Sequence, residues 1–125
     1  MNRHEQRKTA MSIIYQYLLV NADVDALIQE YFIEQDETID PYIERIIHTT
    51  VEQKDTFSQY IDNVLVDWTY DRLGYIEQAI LLNGCSEFYL KELQAVIIID
   101  EAVELAKEFC GEDTYKLVNS VLDKI

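Results

Sequence analysis

Residues that break helices are nearly absent from this chain: one proline and three glycines in 125 residues. Strand reversals draw heavily on glycine, proline and asparagine at fixed turn positions, so a chain this poor in them is directed toward helices. Apolar residues recur at steps of three and four along most of the sequence, the period of one helix face. About half the residues, 49%, are apolar, which rules out a disordered chain. A chain of this length is expected to form one domain, residues 1–125, with a real core.

The periodicity predicts the elements. Residues 3–20 place Ala10, Ile13, Ile14, Tyr17 and Leu18 on one helical face. Asn21-Ala22-Asp23 breaks the pattern, with Asp23 as the cap of a second helix over 24–35 through Leu27, Ile28, Tyr31 and Phe32. Asp40-Pro41 is a start signal, a capping acid before a proline in the first turn. A long third helix follows, its stripe running through Ile43, Ile47, Thr50, Lys54, Phe57, Ile61, Val64 and Trp68. Lys54 interrupts that stripe, so a bend or break is expected near 53–55. Thr69 then caps a helix over about 70–90. The middle of that helix is apolar nearly all round (Ala79, Ile80, Leu81, Leu82), the mark of a central, buried helix. Gly84 inside it costs about 1 kcal/mol relative to alanine, which a close helix crossing would justify. Residues 97–110 form a further helix with Ile99, Ala102, Val103, Ala106 and Phe109 inside and Gly111 as its stop. Residues 113–124 form the last, burying Leu117, Val118, Val121 and Leu122.

The formal net charge is −14, which opposes unaided binding of a polyanion. Its distribution is uneven. Residues 1–8 carry Arg3, Arg7 and Lys8 against Glu5, a net +2, leaving −16 on the remainder. Phosphate contact is therefore expected at the first helix, and a basic protein partner suits the rest. Arg3 and Arg7, four residues apart, share a helix face, with Lys8 about 100° round; this is either a phosphate grip or an ordinary solvated helix start. No run of about 18 apolar residues marks a membrane span, and the charged N-terminus lacks the apolar stretch of a signal peptide. The plain expectation is a cytoplasmic protein with two reduced, packed thiols, Cys85 and Cys110.

Chemistry-bearing motifs are scarce. Glu44 and His48 do not make the Glu-x-x-His pairing of di-iron bundles. Glu101, Glu104 and Glu108 fit a solvated helix face. No nucleophile set and no phosphate-cradling glycine loop is present. The expectation is no enzyme, no metal and no cofactor.

Three stretches carry more. Trp68-Thr69-Tyr70-Asp71-Arg72-Leu73 leads into Ile80-Leu81 and Glu87. Ile99-Asp100-Glu101-Ala102-Val103-Glu104-Leu105-Ala106-Lys107 forms a second signature, and Lys116-Leu117-Val118-Asn119-Ser120-Val121-Leu122 a third. Together they resemble the NusB transcription antitermination factors over nearly the whole chain. The resemblance implies an all-α fold of about seven helices in two packed sub-bundles. It implies binding of a boxA-like ribosomal RNA leader jointly with NusE, a small-subunit ribosomal protein, within the antitermination complex on RNA polymerase. It assigns Arg3, Arg7, Lys8, Asp113, Lys116 and Asn119 to RNA, and Tyr15 and Glu77 to the NusE surface. The sequence departs from the pattern at Leu117, where an aromatic is usual, and at Leu82, where an arginine is. Two readings of different class follow: an RNA-binding antitermination factor, and an acidic helical adaptor on the same fold that binds protein but little RNA.

Overall fold

The structure, a computed structural model, describes residues 2–125. It consists of α1 (Arg3–Val20), α2 (Val24–Glu34), α3 (Pro41–Glu52), α4 (Lys54–Val64), a single 3-10 turn (Tyr70–Arg72), α5 (Tyr75–Leu90), α6 (Ala95–Phe109) and α7 (Thr114–Lys124). Among the described residues there is no strand. No helix is long and apolar enough to cross a membrane.

Capping chemistry sets many of the boundaries. Asn2 accepts from the Glu5 amide at the start of α1, and Asn21 closes that helix in the left-handed conformation at φ 51°. Asp23 caps α2 by accepting from the Asp25 amide. Asp40 accepts from the amides of Tyr42 and Ile43, with Pro41 in the first turn of α3, as the Asp-Pro signal predicts. The long third helix of the sequence reading is two helices. They are separated by Gln53 alone, whose φ of −104° and ψ of 12° leave the helical range.

Two other elements differ from the periodicity. The central helix begins at Tyr75 rather than 70: residues 70–72 form a separate 3-10 turn in which Thr69 makes no capping bond and the Tyr70 amide donates instead to Asp62 Oδ1 at 2.9 Å. Trp68 consequently lies outside any helix and 44% exposed, with the Arg72 guanidinium 4.9 Å from its ring centroid. Helix α6 is rotated relative to the expected face. Ile98, Ala102, Leu105 and Ala106 are buried, Ile99 and Val103 are half-buried, and Phe109 is 38% exposed. The run Val96-Ile97-Ile98-Ile99 offers apolar residues in every direction, so periodicity does not fix its phase; packing selects Ile98. Gly111 is not in a left-handed conformation; α6 ends through an extended Cys110.

Helices α1–α3 form one sub-bundle and α4–α7 the other. Helix α5 belongs to the second and also packs on α1 and α3, so both share its surface. Every residue from Gln78 to Glu87 is buried. Gly84 marks a close crossing: a Cβ there would stand 3.1 and 3.2 Å from the two terminal carbons of Leu122 on α7. Several polar atoms of α5 find partners inside the protein, while the Asn83 amide nitrogen does not. The Thr50 hydroxyl donates to Asn83 Oδ1 at 2.8 Å. Gln78 Nε2 donates to the carbonyls of Tyr70 and Leu73 and ties the 3-10 turn to the helix.

Two outcomes test this account. Gly84→Ala gains helix propensity but crowds buried Leu122, and overpacking of about 1–3 kcal/mol exceeds the gain of about 1 kcal/mol. Urea unfolding should show a net loss of stability. Asp40→Ala should cost about 0.5–2 kcal/mol at neutral pH. Partial burial opposes the Asp40 charge, but hydrogen bonds from Gln6 and the Ile43 and Tyr42 amides outweigh it and hold the carboxyl below its usual value. A carboxyl depressed in the folded state stabilises above its unfolded pKa of about 4, and that contribution fades as pH falls through the folded value. The difference between parent and variant should therefore shrink on acidification below about pH 4.

Candidate functional site

Arg3 and Arg7 do share a face of α1, as their spacing predicts, but that face is turned inward. Arg7 is only 5% exposed and Glu87 only 6%. Arg7 Nε donates to Glu87 Oε2 at 3.0 Å and Nη2 donates to Oε1 at 3.0 Å, a forked pair between α1 and α5. The Tyr42 hydroxyl of α3 donates to the same carboxylate. Burial works against the Arg7 charge, but the hydrogen bonds and charge of Glu87 outweigh it and raise the guanidinium pKa further. Burial, then the hydrogen bond to Glu87, also pushes the Tyr42 phenol up. Arg7 is therefore charged and committed internally, which corrects its expected place on a solvent-facing grip. Arg3 sits at the rim of the same face, exposed, its guanidinium 3.6 Å from the Tyr42 ring centroid.

The outward side of α1 carries a different set. His4, Lys8 and Tyr15 fall four and seven residues apart and so lie along one stripe. Lys8 Nζ pairs with Glu108 Oε1 at 2.8 Å, and His4 Nε2 contacts Glu108 Oε2 at 3.1 Å. Lys8 also lies 5.3 Å from the centroid of Phe109. Phe109 in turn lines a shallow recess of about 350 Å³ with Tyr15, Tyr75 and Glu77. Tyr15 and Glu77, far apart in sequence, thus meet at one recess between α1, the start of α5 and the end of α6. Burial, and behind it the Glu77 charge, push the nearby Cys110 thiol up.

Gly111 forms another part of that recess, and the chain leads from it through exposed Asp113 into α7. Lys116 and Asn119 are exposed on α7. Leu117, where an aromatic was noted as usual, is half-buried against the core. The periodicity places Phe109 inside, and nothing in the sequence marks His4 or Tyr75 for this surface. The pairing of Lys8 with Glu108 had no signal in local spacing.

Nothing in this arrangement assembles a nucleophile or a metal: among the described residues no three His, Cys, Asp or Glu side chains cluster to hold an ion. The fold and surface define a helical binding module with a basic rim, an aromatic and acidic recess, and a second polar surface on α7. The chain belongs to the NusB family, whose model matches residues 4–125. The transcription antitermination protein NusB of Shouchella clausii (strain KSM-K16) is 34% identical over 98% of this chain and 92% of its own length. That of Exiguobacterium sp. (strain ATCC BAA-1283 / AT1b) is 36% identical over 100% of this chain and 97% of its own. A chain from the crystal structure of antitermination factors NusB and NusE in complex with dsRNA superposes with a TM-score of 0.85. It is 27% identical, over 98% of this chain and 96% of that one.

The buried pair yields a test of its own. Arg7→Met or Glu87→Leu alone leaves a buried group without its partner and should cost about 3–5 kcal/mol for the charge left behind. The double variant Arg7→Met with Glu87→Leu removes both charges and should lose clearly less than the sum. Denaturant midpoints of the three variants check this; simple additivity would mean that the two groups do not stabilise one another.

Proposed function

We propose that this protein is a non-enzymatic, cytoplasmic transcription antitermination factor that binds boxA-like RNA together with the ribosomal protein NusE and joins RNA polymerase elongation complexes. The observation that carries the reading is the continuity of the surface. Lys8 of the basic rim lies over Phe109, which walls the recess that holds Tyr15 and Glu77. RNA and a protein partner can therefore be held side by side on one face. Family membership supports it, as does the likeness to a relative crystallised with NusE and dsRNA.

In this reading Tyr15 and Glu77 engage NusE, with Tyr75 and Phe109 as the aromatic walls. A basic partner complements the −16 balance beyond residue 8, and such complementarity mainly speeds association. Lys8 and Arg3 contact phosphate, Lys116 and Asn119 reach the same RNA from α7, and Asp113 marks the approach to them. Arg7 acts from inside, by holding the helix that presents its neighbours. The adaptor reading keeps one observation in its favour: Arg7, Lys8 and His4 already have carboxylate partners.

Two measurements test the proposal. Glu77→Lys should weaken binding of NusE tenfold or more with the helical spectrum unchanged; undiminished affinity would remove Glu77 from the interface. Each phosphate contact contributes close to one unit to the slope of log affinity against log salt. Neutralising Arg3 and Lys8 together should flatten that slope for boxA-like RNA, with NusE present, by roughly one to two. An unchanged slope would place the RNA elsewhere, and absence of RNA binding by the parent would favour the adaptor.

A further inference from the structure

Glu108 has a position that the solvated-face reading of α6 does not explain. Its carboxylate bridges the two basic groups on the outward stripe of α1, one oxygen to each: Oε1 to Lys8 Nζ at 2.8 Å and Oε2 to His4 Nε2 at 3.1 Å. A phosphate bound between those residues would present two non-bridging oxygens in the same way. The hydrogen bond from Lys8, then that from His4, keeps the Glu108 carboxyl below its usual value. Glu101 reinforces the negative side, 3.7 Å from His4 Nδ1 and 3.8 Å from Arg7 Nη1. Glu104, four residues before Glu108, has a different neighbour: its partner is Lys107, on its own helix.

We propose that His4 and Lys8 form an anion site for a phosphate group, and that Glu108 occupies it as a built-in competitor. For RNA, the inference rests on the function proposed above and adds the residue that limits affinity. A phosphate entering the site must displace the carboxylate. The displaced carboxylate then gathers a cation, which offsets part of the counterion release that drives phosphate binding. Charge-assisted contacts at the His4 and Lys8 ends are thus exchanged rather than gained. The energetic scale is that of exposed ion pairs, each worth at most about a fivefold change in an equilibrium.

The experiment compares the full chain with Glu108→Gln and Glu104→Gln, which remove the same formal charge from the same helix. With NusE present and at low salt, Glu108→Gln should bind boxA-like RNA about two- to tenfold more tightly and steepen the salt slope by up to about one. Glu104→Gln should stay close to the parent. Adding Lys8→Ala to Glu108→Gln should abolish the gain. An unchanged or weakened Glu108→Gln, or an equal gain in Glu104→Gln, would overturn the proposal; the latter would reduce it to net charge. A second arm needs neither RNA nor NusE. Tripolyphosphate titrated into each variant should shift the His4 ring resonances at lower concentration in Glu108→Gln than in the parent. That result without RNA binding by any variant would sustain the anion site while removing the proposed function. No difference between the variants in the titration would remove the site itself.

Discussion

The forked pair between Arg7 and Glu87 is the interaction on which the rest of the molecule depends. It joins the first helix to the central one inside the buried core, and Tyr42 brings the third helix to the same carboxylate. A buried ion pair contributes little net stability by comparison with good apolar packing, but losing one partner is severe. Its effect here is on register. A guanidinium fork accepts a carboxylate in few orientations, so α1 can meet α5 at one rotation. That rotation turns Lys8 and Tyr15 outward and Arg3 to the rim. The surface proposed for RNA and NusE is in this sense set from within.

The central helix supplies the other constraint. Its buried run from Gln78 to Glu87 faces helices on several sides, and its polar residues with internal partners tie in α1, α3 and the 3-10 turn. Thr50 meets Asn83, Gln78 holds the 3-10 turn, and Glu87 takes Arg7 and Tyr42. Gly84 lets α7 approach closely enough for Leu122 to lie against the backbone. The helix that bears Lys116 and Asn119 is thereby fixed to the same column as the helix that bears Lys8.

Much of this was legible in the residues, because helix periodicity and capping are local. The Asp40-Pro41 start, the break near Gln53, the all-round apolar middle of α5 and the close crossing at Gly84 follow from neighbours within a turn or two. The failures share a different cause. Arg7 reads as a surface charge until Glu87, 80 residues away, is placed beside it. The phase of α6 is not fixed by a run of four consecutive β-branched residues, Val96 to Ile99. The start of α5 lies at Tyr75 because residues 70–72 form a separate 3-10 turn whose first amide is taken by Asp62 of α4, a partner that helix periodicity does not show. The meeting of Tyr15 and Glu77 at one recess was reached only through family resemblance; no spacing relates them.

Because α5 packs on helices of both sub-bundles, it couples one half to the other. The basic rim on α1 and the polar face on α7 are therefore tied to one shared helix. In the function proposed above, an RNA strand that touches one arrives at the other as an intramolecular event, at an effective concentration fixed by the protein rather than by the solution. Little ordering entropy remains to be lost in the protein at that second contact. In that reading, weak individual grips, those of His4 and Lys8 blunted by Glu108, can sum to useful avidity while each stays quick to release.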